Sequence, residues 1–334
     1  MSPYKSSDIN SLLKPIFGVL SVIGFMPCPL RNADDLQNIR PSRFTQIHRV
    51  TAVFVVVSCQ VLGAWEVSKL FYLSSLYYMV DVIKVIVIIV SGVVMLFCCF
   101  FYKRNITSII HKISIFDQTF QQMFHSNNEP SLFSISHICI YCVVDLVSFS
   151  VSVLYTEFSE HRIAIGAVHL SLFIIQLLDL MFMAFVYLLR QRFRLLNLCA
   201  RKMLTDDASF GNLTYVRSQH GFLCDILELL NSTFAAQTLA IVTLKFISLT
   251  SYCYFGAVRV LNIHSSIRGT VTRECVMYGW SCWNLVTLVS LFWLCRSTCR
   301  EVSVHASYFQ ICKVGESVKR LATAGGPGIE SRWG

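Results

Sequence analysis

The chain has 334 residues, of which 54% are hydrophobic and 14% are charged. Because soluble domains average about 25% charged residues, this composition excludes an ordinary water-soluble protein. The formal net charge of +9 raises the question of a nucleic-acid partner. The positive residues flank long apolar runs, however, which is the distribution expected at the inner face of a membrane. We therefore predict contact with membrane lipid and no nucleic-acid binding.

The N-terminal residues 1–49 are predicted to be a cytoplasmic segment. Within it, residues 12–30 are apolar but include Lys14, two glycines and three prolines. This composition favours a helix that lies in the membrane interface over a helix that crosses the bilayer. A seventh span at this position is the alternative.

Six apolar segments are predicted to cross the membrane as helices. They lie at residues 50–70, 80–102, 132–155, 163–189, 234–258 and 276–295. Each segment is long enough to cross a hydrocarbon core of about 30 Å at about 1.5 Å per residue. We therefore predict an all-α membrane protein in which residues 50–295 form one bundle of six transmembrane helices.

Apolar residues continue at helical spacing beyond four of these spans. The stripes are Ile106, Ile109, Ile113, Phe116, Phe120 and Phe124; Leu189, Phe193, Leu196, Ala200 and Met203; Leu223, Ile226, Leu227 and Leu230; and Cys299, Val302, Ala306 and Phe309. Such stripes predict helices that extend beyond the membrane and pack together in the cytoplasm. The alternative is that these helices lie on the lipid surface.

The distribution of Lys and Arg predicts the orientation of the chain. Of the 28 such residues, 21 lie in the segments on the side of the N-terminus and only 5 on the other side. Lys84 and Lys245 lie within spans. Since cytoplasmic loops are enriched in these residues, both termini are predicted to be cytoplasmic. This orientation argues against the main alternative, a seven-span G-protein-coupled receptor, whose N-terminus is extracellular.

Asp145, Asp179 and Lys245 are charged residues in the interior of predicted spans. A charge in the bilayer is energetically unfavourable, so such residues are usually paired or functional. We favour a structural pair of Lys245 with either Asp145 or Asp179. A contact with a ligand or an ion is the alternative.

The sequence contains no motif typical of an enzyme. It lacks His-Glu-x-x-His, the phosphate-binding P-loop and Gly-x-Ser-x-Gly, and its 14 cysteines form no clusters typical of a metal site. We therefore predict neither catalysis nor a cofactor. A transporter would have an internal repeat and helices broken at mid-membrane, and the sequence shows neither.

Three stretches resemble the insect gustatory receptor family over residues 10–317. They are SLLKPIFGVLSVIGFMPCPL near the N-terminus, YLLRQRFRLLN at residues 187–197 and LCRSTCREVSVHASYFQICKVGES at residues 294–317. The resemblance implies a ligand-gated cation channel of the plasma membrane, with four identical or related subunits around a central pore. It also implies that a taste ligand binds between the outer halves of the spans, and that residues 296–317 belong to a cytoplasmic anchor domain.

The last residues depart from the family pattern. A seventh, pore-lining span would carry Thr-Tyr, five apolar residues and Gln, and this signature does not occur in the sequence. Residues 318–334 instead read as an atypical polar tail. We expect a truncated, spliced or pseudogene product that does not conduct by itself; the alternative is a divergent member with a genuine soluble tail.

Aromatic and hydrogen-bonding residues in the outer halves of the spans are candidate contacts for a small-molecule tastant, because such residues line ligand pockets. The candidates are His169, Gln176, Tyr155, Tyr252, Tyr278 and Trp283. His169 and Gln176 are favoured, since a spacing of seven places them on one helical face. The alternative is that these residues anchor the helices at the membrane interface.

Overall fold

The computed structural model describes residues 43–68, 76–124, 162–205, 210–261 and 271–324, together with the single positions Gly18 and Val147. Within these ranges the chain forms five helices and no strands. They are α1 (Arg43–Ser68), α2 (Leu76–Phe124), α3 (Arg162–Thr205), α4 (Phe210–Leu261) and α5 (Val271–Ala324). The prediction of an all-α membrane protein is confirmed. Apart from Gly18 and Val147, the segments 12–30 and 132–155, with Asp145 and Tyr155, lie outside the described residues.

Four of the helices are much longer than a bilayer requires. α2 has 49 residues, α3 has 44, α4 has 52 and α5 has 54. A helix needs only about 20 residues to cross the hydrocarbon core. The prediction that four spans continue as helices is therefore confirmed. α5 also continues past residue 317, so the first seven residues of the predicted polar tail are helical.

Two helical segments are long and apolar enough to cross a membrane, namely Gly166–Met203 and Thr214–Tyr254. A third would be the pair Val82–Cys98 and Phe100–Phe120, which is bent by 56° at the break between its helices. In α1 the apolar segment Val50–Glu66 is shorter. The described part of α5 contains no segment of comparable length and hydropathy at the span expected for residues 276–295. Three tryptophans and one asparagine reduce the hydropathy of this segment. The sixth span therefore stays a prediction.

The helices contribute to two compact units. The first consists of Met1–Phe185 and Leu229–Phe292, and the second of Val186–Glu228 and Trp293–Gly334. In the first unit, Phe234 of α4 packs between two residues of α3, at ring-centroid distances of 5.4 Å from Phe182 and 6.0 Å from Phe185. The α2 stripe is also buried, at Ile106, Ile109, Ile113, Phe116 and Phe120.

The second unit is built from α3, α4 and α5. Leu189, Phe193 and Leu196 of α3 are fully buried. The ring of Phe193 meets His220 of α4 edge-on, with centroids 5.5 Å apart. Asn197 of α3 donates hydrogen bonds from Nδ2 to the backbone oxygen and the Oε2 of Glu301 of α5, at 3.0 and 2.9 Å. Three of the predicted extensions therefore pack together, whereas the α2 extension belongs to the first unit.

Candidate ligand-binding site

A buried ion pair joins α3 to α4 in the first unit. Lys245 Nζ donates to Asp179 Oδ2, and both side chains are almost completely buried. Of the two partners that the sequence analysis predicted for Lys245, Asp179 is the one that binds it in the structure. A charge without a partner would be very unfavourable among apolar helices, and pairing reduces that cost. The pair therefore holds α3 and α4 in one register.

A second polar contact joins α1 to α3. Ser171 Oγ lies 2.7 Å from Gln60 Oε1 and 2.8 Å from the backbone oxygen of Ala167. Since a hydroxyl has one hydrogen, it donates to one of these oxygens or shares the hydrogen between them. Gln60 Nε2 in turn donates to the oxygen of Ala167 at 3.4 Å. Gln60 and Ser171 are both fully buried, so this network satisfies polar groups that lipid cannot.

The same serine marks a close approach of α2 to α3. A Cβ atom added at Gly92 would lie 2.9 Å from both Cβ and Oγ of Ser171 and 3.2 Å from its Cα. No larger residue fits there without movement of one helix. Small residues at such crossings are typical of membrane helix pairs. Ser171 of α3 therefore lies against both α1, through Gln60, and α2, at Gly92.

An aromatic ring and a cation meet between α2 and α4. Lys84 Nζ lies 4.3 Å from the centroid of the Tyr252 ring, within the distance of a cation–π contact. Tyr252 is buried and Lys84 is half-buried. The contact joins α2 to α4 within the first unit.

The structure places five of the six predicted ligand contacts on three helices. His169 is half-buried and Gln176 is buried on α3; Tyr252 is buried on α4; Tyr278 is exposed and Trp283 half-buried on α5. Tyr278 Oη would lie 3.4 Å from a Cβ added at Gly256, so α4 and α5 approach each other there. The ligand site stays a prediction.

Gln237 was not singled out from the sequence although it is among the most buried polar residues of the described part. It is 1% exposed, and neither its Nε2 nor its Oε1 has a hydrogen-bond partner there. A signal was present, since Gln237 interrupts the apolar run AAQTLAIV of α4. Among the described residues, no three His, Cys, Asp or Glu side chains are grouped to hold a metal ion.

Comparison with known proteins shows the family to which the chain belongs. A search of curated proteins finds no match. A family model described as 7tm chemosensory receptor matches residues 13–321. This match extends from the N-terminal segment into the last turn of α5, and it agrees with the resemblance to insect gustatory receptors. The chain therefore belongs to the 7tm chemosensory receptor family.

Proposed function

We propose that this chemoreceptor is a taste receptor subunit that acts as part of a ligand-gated, non-selective cation channel in the plasma membrane. The observation that carries the proposal is the family match over residues 13–321. The subunit has a cytoplasmic N-terminus and assembles with three identical or related subunits. A small tastant binds in the outer half of the bundle, near His169, Gln176, Tyr155, Tyr252, Tyr278 and Trp283.

Two features of the fold support this assignment. Polar and charged side chains lie buried between helices of the first unit, at Gln176, Asp179 and Lys245, where lipid offers no hydrogen bonds. The second unit is a separate compact body built from the helix extensions. Such a body suits the anchor domain that the resemblance to gustatory receptors implies.

The channel assignment is tested by electrical recording. The chain is expressed alone and together with related receptor subunits, and a panel of small tastants is applied to outside-out membrane patches. With related subunits present, we expect a cation current that starts on ligand addition and persists when GDPβS replaces GTP in the pipette. A response that GDPβS abolishes would instead support a G-protein-coupled receptor. No current with any partner would contradict the channel assignment.

The ligand contacts are tested in the same recordings. Gln176→Ala and Tyr252→Ala should each raise the half-maximal ligand concentration about tenfold, because loss of one good contact changes binding by about 1.4 kcal/mol. Leu239→Ala is the matched control, because Leu239 lies on α4 and is 69% exposed. Equal shifts in the control and in both variants would contradict the proposed contacts.

A further inference from the structure

Two buried oxygen atoms lie one helical turn apart on α3 and have no hydrogen-bond partner among the described residues. They are Oε1 of Gln176, whose side chain is 8% exposed, and Oδ1 of Asp179, which is 1% exposed. Residues three apart on a helix are neighbours on its surface, with Cβ atoms about 5–6 Å apart. The two acceptors can therefore be reached by one small molecule.

The charge at this position restricts what that molecule can be. Asp179 Oδ2 already receives a hydrogen bond from Lys245 Nζ, so the pair is neutral overall. A bound cation or anion would leave an uncompensated charge among apolar helices, which is strongly unfavourable. A carboxylate oxygen and an amide oxygen can only accept hydrogen bonds. The partner must therefore be neutral and must donate a hydrogen bond.

A hydroxyl group is neutral and can donate a hydrogen bond, and its oxygen can also accept a hydrogen bond from Lys245. The ammonium group has three N–H donors, and the one described contact of Lys245 Nζ is with Asp179. A hydroxyl can donate to Asp179 Oδ1 or Gln176 Oε1 while its own oxygen accepts from Lys245. A buried acceptor without any partner is destabilising, and lipid cannot supply one.

We propose that Gln176, Asp179 and Lys245 form a buried binding site for a neutral hydroxyl group. The hydroxyl comes either from an internal water molecule or from a small hydroxylated ligand that enters the bundle. The ligand source rests on the proposed chemoreceptor function and specifies the chemical class of the ligand. The water source is independent of that function.

The first arm of the test measures thermal unfolding of the purified full chain in lipid nanodiscs without added compound. Gln176→Leu is compared with Leu180→Met, a volume-conserving change at a buried apolar position of the same helix. If water occupies the site, Gln176→Leu removes an acceptor that binds this water. The Tm of Gln176→Leu should then be equal to or lower than the Tm of Leu180→Met. If Gln176 Oε1 is without a partner, Gln176→Leu should raise the Tm.

The second arm adds benzyl alcohol or toluene, which differ in the hydroxyl group. If a ligand hydroxyl occupies the site, benzyl alcohol should raise the Tm of the wild-type chain and of Leu180→Met more than toluene does. This difference should become smaller in Gln176→Leu, because that variant keeps only Asp179 Oδ1 of the two acceptors. The proposal is overturned if Gln176→Leu raises the Tm without compound and the two compounds act alike on all three proteins. Because neither arm measures current, failure of the channel assignment would leave both readouts unchanged.

Discussion

At the scale of single residues, the pairing of Asp179 with Lys245 decides how α3 and α4 can be arranged. Both side chains are buried and each neutralises the other. Removal of one partner leaves a buried charge uncompensated, whereas replacement of both by apolar residues removes the cost of desolvating two charges. The sign of the effect on stability therefore depends on whether one residue is changed or both.

We predict that Asp179→Leu destabilises the chain by about 3–5 kcal/mol, because Lys245 is left as a buried charge without a counterion. The double variant with Lys245→Met should recover most of this loss and should unfold near the wild-type Tm. Thermal unfolding in nanodiscs measures both. Asp225→Asn changes an exposed carboxylate of α4 and serves as the control. Additive losses in the double variant would contradict a direct pair.

At the scale of helices, the crossing of α2 and α3 depends on the absence of a side chain at Gly92. The distance of 2.9 Å from an added Cβ to Ser171 Cβ lies below normal van der Waals contact, and the neighbouring Cα limits how far Ser171 can move. An inserted methyl group must therefore separate the helices. Such a separation would also disturb the hydrogen bonds that link Ser171 to Gln60 of α1.

Gly92→Ala should destabilise the first unit by about 1–3 kcal/mol, the usual effect of an overpacked contact. Gly221→Ala is a matched control, because a Cβ at Gly221 of α4 meets nothing within 4 Å. That change should stabilise α4 by up to about 1 kcal/mol through helix propensity. Thermal unfolding should therefore show a lower Tm for Gly92→Ala and a higher Tm for Gly221→Ala. A rise in Tm for both variants would contradict the close approach of α2 to α3.

Within the second unit, Asn197→Ala should loosen the connection of α3 to α5. The change removes both hydrogen bonds to Glu301, one of them to its carboxylate, with an expected loss of about 1.5–3 kcal/mol. Hydrogen–deuterium exchange should become faster in residues 186–228 and 293–304 and stay unchanged around Asp179. Arg194→Ala, at an exposed position three residues earlier, is the control. Unchanged exchange in Asn197→Ala would contradict a stabilising role for this contact.

The helices and their buried stripes could be predicted because periodicity is a local property of the sequence. The stripe with Phe193 and Leu196 shows this, since its spacing alone indicated the buried face that the structure describes. The choice of Asp179 as the partner of Lys245 was not predictable, because it depends on which helices are neighbours. The contact of Gly92 with Ser171 was not predictable for the same reason. The ligand contacts are still predictions, because they depend on which side chains meet a ligand and not on a local pattern.

At the scale of the whole molecule, apolar side chains on the surface agree with a membrane environment. Large exposed apolar residues occur along several helices, such as Phe54 and Trp65 on α1, Phe246 on α4, and Val289 and Phe292 on α5. A soluble protein rarely exposes apolar surface so widely. In a membrane, these side chains face lipid. The positive charges predict which membrane face each loop occupies, and that orientation is open to direct test.

We predict that an N-glycosylation acceptor site inserted within residues 262–270 is modified in cells, because the distribution of Lys and Arg places this segment outside. An acceptor site added before Met1 should stay unmodified, since the N-terminus is predicted to be cytoplasmic. The native sequons at Asn105, Asn212 and Asn231 lie on or next to the predicted inner side, so they should add no background. Glycosylation of each inserted site is detected as a gel shift that endoglycosidase treatment removes. Modification at the N-terminus would indicate that residues 12–30 cross the membrane and would favour the orientation of a G-protein-coupled receptor.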